Sequence, residues 1–143
     1  MKKIFNILAV TFFLFFICNF SSCKKHGNSP VDQYVEIIDE AADKAEKIAS
    51  MQDLINVQEI ISPEAAKEIA RENADYELTE SDKSKLKKSF DRLLRVAYNK
   101  TAEYGGFPEE IKKQSKDQAE LIIEAANKGI DNAKTLGDLN GIR

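Results

Sequence analysis

Between Thr79 and Tyr104 apolar side chains return every three or four residues, at Leu86, Phe90, Leu93, Leu94, Ala97, Tyr98, Thr101 and Tyr104. That period puts them on one broad face of an amphipathic α-helix, which must bury the face against other helices. Thr79-Glu80-Ser81-Asp82 supplies the start: the Thr79 hydroxyl caps the first turn and Asp82, three residues on, reaches back. Leu78 before the cap has Lys83 as its staple position, so the apolar staple is incomplete. Gly105-Gly106 supplies the end, because glycine enters positive φ without a steric penalty. Phe107-Pro108-Glu109-Glu110 opens another helix at once, with a proline and two acids where the helix dipole favours them. So short a link forces the two helices into an antiparallel hairpin, and the first of them into the centre of the core.

The remaining segments read as helices that cover this pair. Val31, Tyr34, Val35, Ile38, Ala41, Ala42, Ala45, Ile48 and Ala49 predict a helix over 32–49 whose alanine-rich stripe lets a neighbour approach closely. At Ser50-Met51-Gln52-Asp53 either this helix bends or a short one begins. The Ser50 cap with Asp53 three residues later favours a break, after which Met51, Leu54, Ile55, Val57 or Gln58, and Ile61 form an apolar face. Ser62-Pro63-Glu64 predicts a short helix over 63–74, capped by Ser62 and burying Ala65, Ala66, Ile69 and Ala70. The last helix, 108–134, is expected to bury Ile111, Ser115, Ala119, Ile122, Ala125, Ala126, Ile130 and Ala133. Its polar middle at Gln114, Lys116, Asp117 and Gln118 leaves that stripe thinly apolar or facing a groove. Leu136, Leu139 and Ile142 then form a loose tail; Met51, Leu54, Leu136 and Leu139 are expected as plugs at the bundle ends. The expected fold is all-α: a small antiparallel helical bundle of three long helices and one or two short ones, occupying 31–143 as a single domain.

The first 23 residues have a different character. Lys2 and Lys3 precede an almost unbroken apolar run, Ile4 to Phe20, followed by Ser21, Ser22 and Cys23. Seventeen residues, three of them Asn6, Thr11 and Asn19, are marginal for a permanent span of roughly 20. The layout is that of an export signal. Phe20-Ser21-Ser22-Cys23 resembles the terminal box of a bacterial lipoprotein signal peptide, with Phe20 where leucine is more usual. The resemblance implies removal of 1–22, palmitate-type acylation of Cys23 and a membrane anchor of more than one acyl chain, which holds stably where a single chain does not. It also implies, from Lys24 after the cysteine, the outer membrane of a Gram-negative cell; the lack of acids just after Cys23 favours the periplasmic face. Lys24 to Pro30, KKHGNSP, has no apolar residue and reads with Cys23 as a flexible tether over 23–30. With this leader and helical remainder, the chain resembles the small helical lipoproteins of Gram-negative bacteria.

Side chains suited to chemistry are sparse after Ser22. With Cys18 removed and Cys23 acylated, no disulfide is available, so stability has to come from packing. Loss of Lys2 and Lys3 takes the 21 basic residues to 19 against 24 acidic, a net −5, which argues against a nucleic-acid partner. His26 is the lone histidine and lies in the tether; no zinc or calcium spacing occurs, and no metal or other cofactor is expected. Ser81 with Lys85 and Ser84 with Lys88 sit four apart, as charged helix faces commonly arrange them, and no base or elbow accompanies them. The chain is not expected to be an enzyme. Lys85, Lys88, Arg92 and Arg95 recur at helical spacing and form either a solvated flank or a docking stripe for an acidic protein face or for lipid headgroups. Tyr76 and Phe107 fall in connections, where a ring either pins the turn or meets a partner. The function so indicated is a membrane-tethered interaction or structural module of the cell envelope with a protein partner there; a small-ligand or lipid-binding periplasmic carrier is the alternative.

Overall fold

The helical segments form an all-α bundle, described over residues 28–141 by a computed structural model. The leader 1–22, Cys23, the tether through Gly27, and Ile142 with Arg143 lie outside the described residues, as does the side chain of Gln58. Helix α1 is Pro30–Glu46 and α2 is Val57–Ile61, preceded by a 3-10 turn Gln52–Asn56. Helix α3 spans Glu64–Glu72, α4 Glu80–Tyr104 and α5 Glu109–Asn132, with a second 3-10 turn at Leu136–Gly141.

The start of α1 lies earlier than the apolar period indicates. Ser29 caps it: the Asp32 amide donates to Ser29 Oγ and the Ser29 amide to Asp32 Oδ2, a full capping box, with Pro30 at the first helical position. Ser29 and Pro30, expected in the tether, therefore belong to the domain. The helix stops at Glu46, and the break near Ser50 is present. Asp53 Oδ2 accepts from the Ala49 amide and the Ser50 hydroxyl while the Asp53 amide donates to Ser50 Oγ, a local network that competes with continued helix. Ala49 is consequently exposed rather than on the buried stripe. In the following turn Met51 and Ile55 are about two-thirds exposed, so neither is a plug or part of a core face; Ile60 and Ile61 pack on the core instead. The short α3 is flanked by Pro63 in extended backbone, not by a Ser62 cap, and buries Ala66 and Ala70 but leaves Ala65 in solvent.

Helix α4 is central and packs along α1 on one side and α5 on the other; α3 packs on α1. Its Thr79 box forms as expected, with the Asp82 amide donating to Thr79 Oγ1 and Asp82 Oδ2 accepting from the Thr79 amide and hydroxyl. Ion pairs fix the directions. Asp32 meets Lys85 and Asp43 meets Arg92, so α1 and α4 run the same way, whereas Glu120 meets Arg95 and Asp131 meets Lys87, so α5 runs back. Helix α3 is the return that lets α1 and α4 be parallel. Gly106 adopts φ 70° in the α4–α5 link, the left-handed conformation such a tight reversal needs.

The core joins Val31, Tyr34, Ile38, Ala42 and Ala45 of α1 to Ala66 and Ala70 of α3, Leu86 and Leu93 of α4, and Ile130 of α5. The alanines let α1 and α3 lie close, while Leu86 and Leu93, with no exposed surface, supply the volume. The tail is not loose. The Leu136 amide donates to Tyr76 O (2.9 Å), the Leu78 amide to Lys134 O (2.9 Å) and the Gly137 amide to Ala74 O (3.1 Å), an isolated antiparallel bridge that locks 134–137 onto the α3–α4 connection. A side chain at Gly137 would meet Ala74 at 2.9 Å, so glycine permits that approach. Leu136 and Leu139 are buried as expected for plugs.

Helix α5 keeps its expected facing at Ala119 and Ile130, as does Ala133 just past its end, but Ile123 takes the place of Ile122. Ala119, Ile123, Ile130 and Ala133 are buried, while Ile111, Ile122 and Ala125 are exposed. Leu93→Ala and Ile123→Ala should each lower unfolding free energy by ~2–5 kcal/mol in urea titrations. Met51→Ala and Ile55→Ala should stay within about 0.5 kcal/mol, and equal losses at all four sites would contradict the assigned faces.

Candidate interaction surface

The cations singled out on α4 are drawn into the bundle's own ion pairs. Lys85 Nζ lies 2.7 Å from Asp32 Oδ1, and Arg92 lies 2.6 Å from Asp43 and 2.9 Å from Glu46. Arg95 lies 3.0 Å from Asp91 and also pairs with Glu120. Lys88 has no ion-pair partner among the described residues. Two helical turns return Lys85 and Arg92 to one side of α4, toward α1, whereas Arg95 is turned toward α5. The four residues thus straddle the outer surface of α4, and three of them hold its two neighbours. Hydrogen bonding to their acids pushes Arg92 and Arg95 further above the ordinary arginine range. Hydrogen bonds from Lys85 and then Ser29 hold the Asp32 carboxyl below its usual 3.8.

Tyr76 is half-buried and packs against the core beside the tail bridge, where it pins the turn. Phe107 is 42% exposed, and its ring lies over Gly105 so closely that a side chain there would meet it at 2.5 Å. These two aromatic residues lie at different parts of the fold: Tyr76 on the α3–α4 connection and Phe107 on the opposite, α4–α5 turn. Tyr34, buried against Phe90 with ring centroids 6.1 Å apart, has its hydroxyl pushed up to about 12 by burial and is a packing residue.

The surface that sequence reasoning misplaced is on α5. Ile111, Gln114, Gln118, Ile122, Ala125 and Gly129 fall within a narrow arc of the helix, with Leu121 beside them, and none is charged. Leu121 is 65% exposed, Ile111 44% and Ile122 38%. The arc adjoins the line Ala119, Ile123, Ile130 that packs on α4. Periodicity cannot separate the two, because an apolar stripe wide enough for both reads as one face. The polar middle noted in the sequence is in part Gln114 and Gln118 of this arc, uncharged as a wetted contact face needs.

Beyond the reach of α1 the α4–α5 hairpin forms an open cleft of about 510 Å³ lined by Asn99, Ala102, Glu103, Glu109, Lys112, Lys113 and Lys116. Glu109 pairs with Lys112 at 2.6 Å inside it, so its charges are mixed. Among the described residues no group of three or more histidine, cysteine, aspartate or glutamate side chains converges as metal ligands, and no helix is long and apolar enough to cross a membrane. No family model, curated protein or solved structure matches the chain.

The lowered Asp32 value sets a pH dependence. Its folded value lies below the unfolded one, so the contribution of the pair to stability is present above about pH 4 and lost as pH falls through the folded value. Melting temperatures of the native chain and Asp32→Asn should differ by a constant amount from pH 7 to about 5 and converge below about 4. A gap that persists unchanged at low pH would exclude the carboxylate as its cause.

Proposed function

We propose that this chain is a membrane-tethered interaction or structural module of the cell envelope, without a catalytic role, that meets its protein partner on the uncharged face of α5. The observation carrying this reading is the exposure of Leu121, Ile122 and Ile111 on a helix whose other apolar line already satisfies α4. A small helical domain gains nothing in solution from exposing Leu121 beside Ile122, and an uncharged helix face that carries them suits a contact surface. The cations of α4 support the same choice of surface, since most are occupied within the fold. Tethering rests on the leader and on Cys23, whose acylation would hold the domain at a membrane with α5 free to meet a neighbour. The carrier alternative calls for an apolar pocket, and the cleft at the hairpin tip is lined by lysines and glutamates instead.

A photo-reactive residue at Leu121 in intact cells should give a discrete adduct that Ile122→Glu abolishes while helicity by circular dichroism is kept. An adduct pattern indifferent to Ile122→Glu would defeat the assignment of this face. Cys23→Ala should move the protein from the membrane to the soluble envelope fraction without altering the fold, and unchanged sedimentation with membranes would contradict the lipid anchor.

A further inference from the structure

The α5 face has an internal symmetry that identifies what can cover it. Ile111 and Gly129 are 18 residues apart, five full turns, so the uncharged arc runs straight along about 27 Å of helix with its midpoint at residue 120. Glu110 and Lys128 are also 18 residues apart and occupy one angular position on the border of the arc, with their midpoint at residue 119. Both are exposed. Glu110 has no ion-pair partner among the described residues, and Lys128 pairs only with the equally exposed Glu124 at 2.8 Å.

We propose that this face pairs with the same face of a second copy of the chain, the two α5 helices running antiparallel across a two-fold axis near residues 119 and 120; this rests on the reading of α5 as the docking surface. A two-fold axis lying in the interface, at right angles to the helices, keeps the charged border of each helix on the same side of the pair. In the antiparallel register Glu110 of one subunit then stands opposite Lys128 of the other, twice over. The remaining acids of that border, Asp117 and Glu124, fall opposite Leu121 and Gln114, which leaves the acids of the two subunits about one helical turn apart across the axis. A parallel pair would instead turn the two borders to opposite sides of the contact, where each would face the line that packs on α4 and the match of charges would be lost. In that register Ile111 of one helix comes level with residue 127 of the other, between the small Ala125 and Gly129 of its arc, while Gln118, Leu121 and Ile122 gather at the axis. The interface is isologous, as closed dimers require.

The test uses the full-length chain in detergent, its mass followed by sedimentation over a concentration series. The native chain is expected to dimerise reversibly, and Ile122→Glu to be monomeric with unchanged helicity. Glu110→Lys and Lys128→Glu should each weaken the dimer about tenfold by placing like charges opposite each other at both ends. The double reversal, E110K with K128E, should return the affinity to within about threefold of the native value. A double reversal as weak as either single one, a dimer indifferent to Ile122→Glu, or a chain that stays monomeric at ~100 μM would overturn the pairing. Should the chain be monomeric while the Leu121 adduct joins it to a different protein, the docking role of α5 stands and the second copy falls.

Discussion

The burial of Leu86 and Leu93 along one line of α4 is the contact on which the rest of the bundle depends. The surrounding helices contribute mainly alanine where they come close, at Ala41, Ala42 and Ala45 of α1 and Ala66 and Ala70 of α3. Small residues reduce the separation of helices but bury little apolar area each. The few large side chains with almost no exposure, Ile38, Leu86, Leu93, Ile130 and Leu136, carry most of the hydrophobic gain. They come from four separate segments: α1 and α5 pack along α4, and the turn carrying Leu136 packs on α3. The cations on either side of the buried line then select the neighbours: Lys85 and Arg92 meet the acids of α1, Lys87 and Arg95 those of α5. Exposed pairs of this kind set orientation and register more than stability.

Closure at the other end of the core depends on backbone rather than side chains. Three interstrand-type hydrogen bonds between 74–78 and 134–137 hold the chain's last turn across the α3–α4 connection. Asp138 completes it by accepting from the Lys134 and Thr135 amides, both at 2.9 Å. Those amides follow the end of α5 and would otherwise lack partners. The result brings Leu136 and Leu139 into the core and leaves Tyr76 wedged beside them, so that a stretch with no regular period becomes part of the packed interior.

Helix α5 differs from the others in serving two apolar lines at once. One line is taken up by α4. The other, with its border charges Glu110 and Lys128, has the features of a surface shaped for a symmetric neighbour. A domain held to a membrane by one end would present such a helix to others held the same way, where confinement raises the effective concentration of like copies. The proposed function and the proposed partner are in this sense one arrangement seen at two levels.

Sequence alone determined the all-α class, the Thr79–Asp82 start and glycine end of α4, the hairpin to α5 and the break at Ser50. Each follows from interactions within a few residues: a hydroxyl reaching an amide three positions on, a glycine taking positive φ, a proline in a first turn. It also marked Leu86 and Leu93 as core, since a period of three and four has one physical meaning on an isolated helix. Only the tertiary structure decided that Ile123 and not Ile122 faces α4, that Met51 and Ile55 stay in solvent, and that Lys85, Arg92 and Arg95 serve partners on α1 and α5. It also decided that the tail is bridged to residues 74–78. Those outcomes turn on which neighbour lies against a given face and at what rotation, and a contact between segments tens of positions apart leaves no spacing in the chain from which to read it.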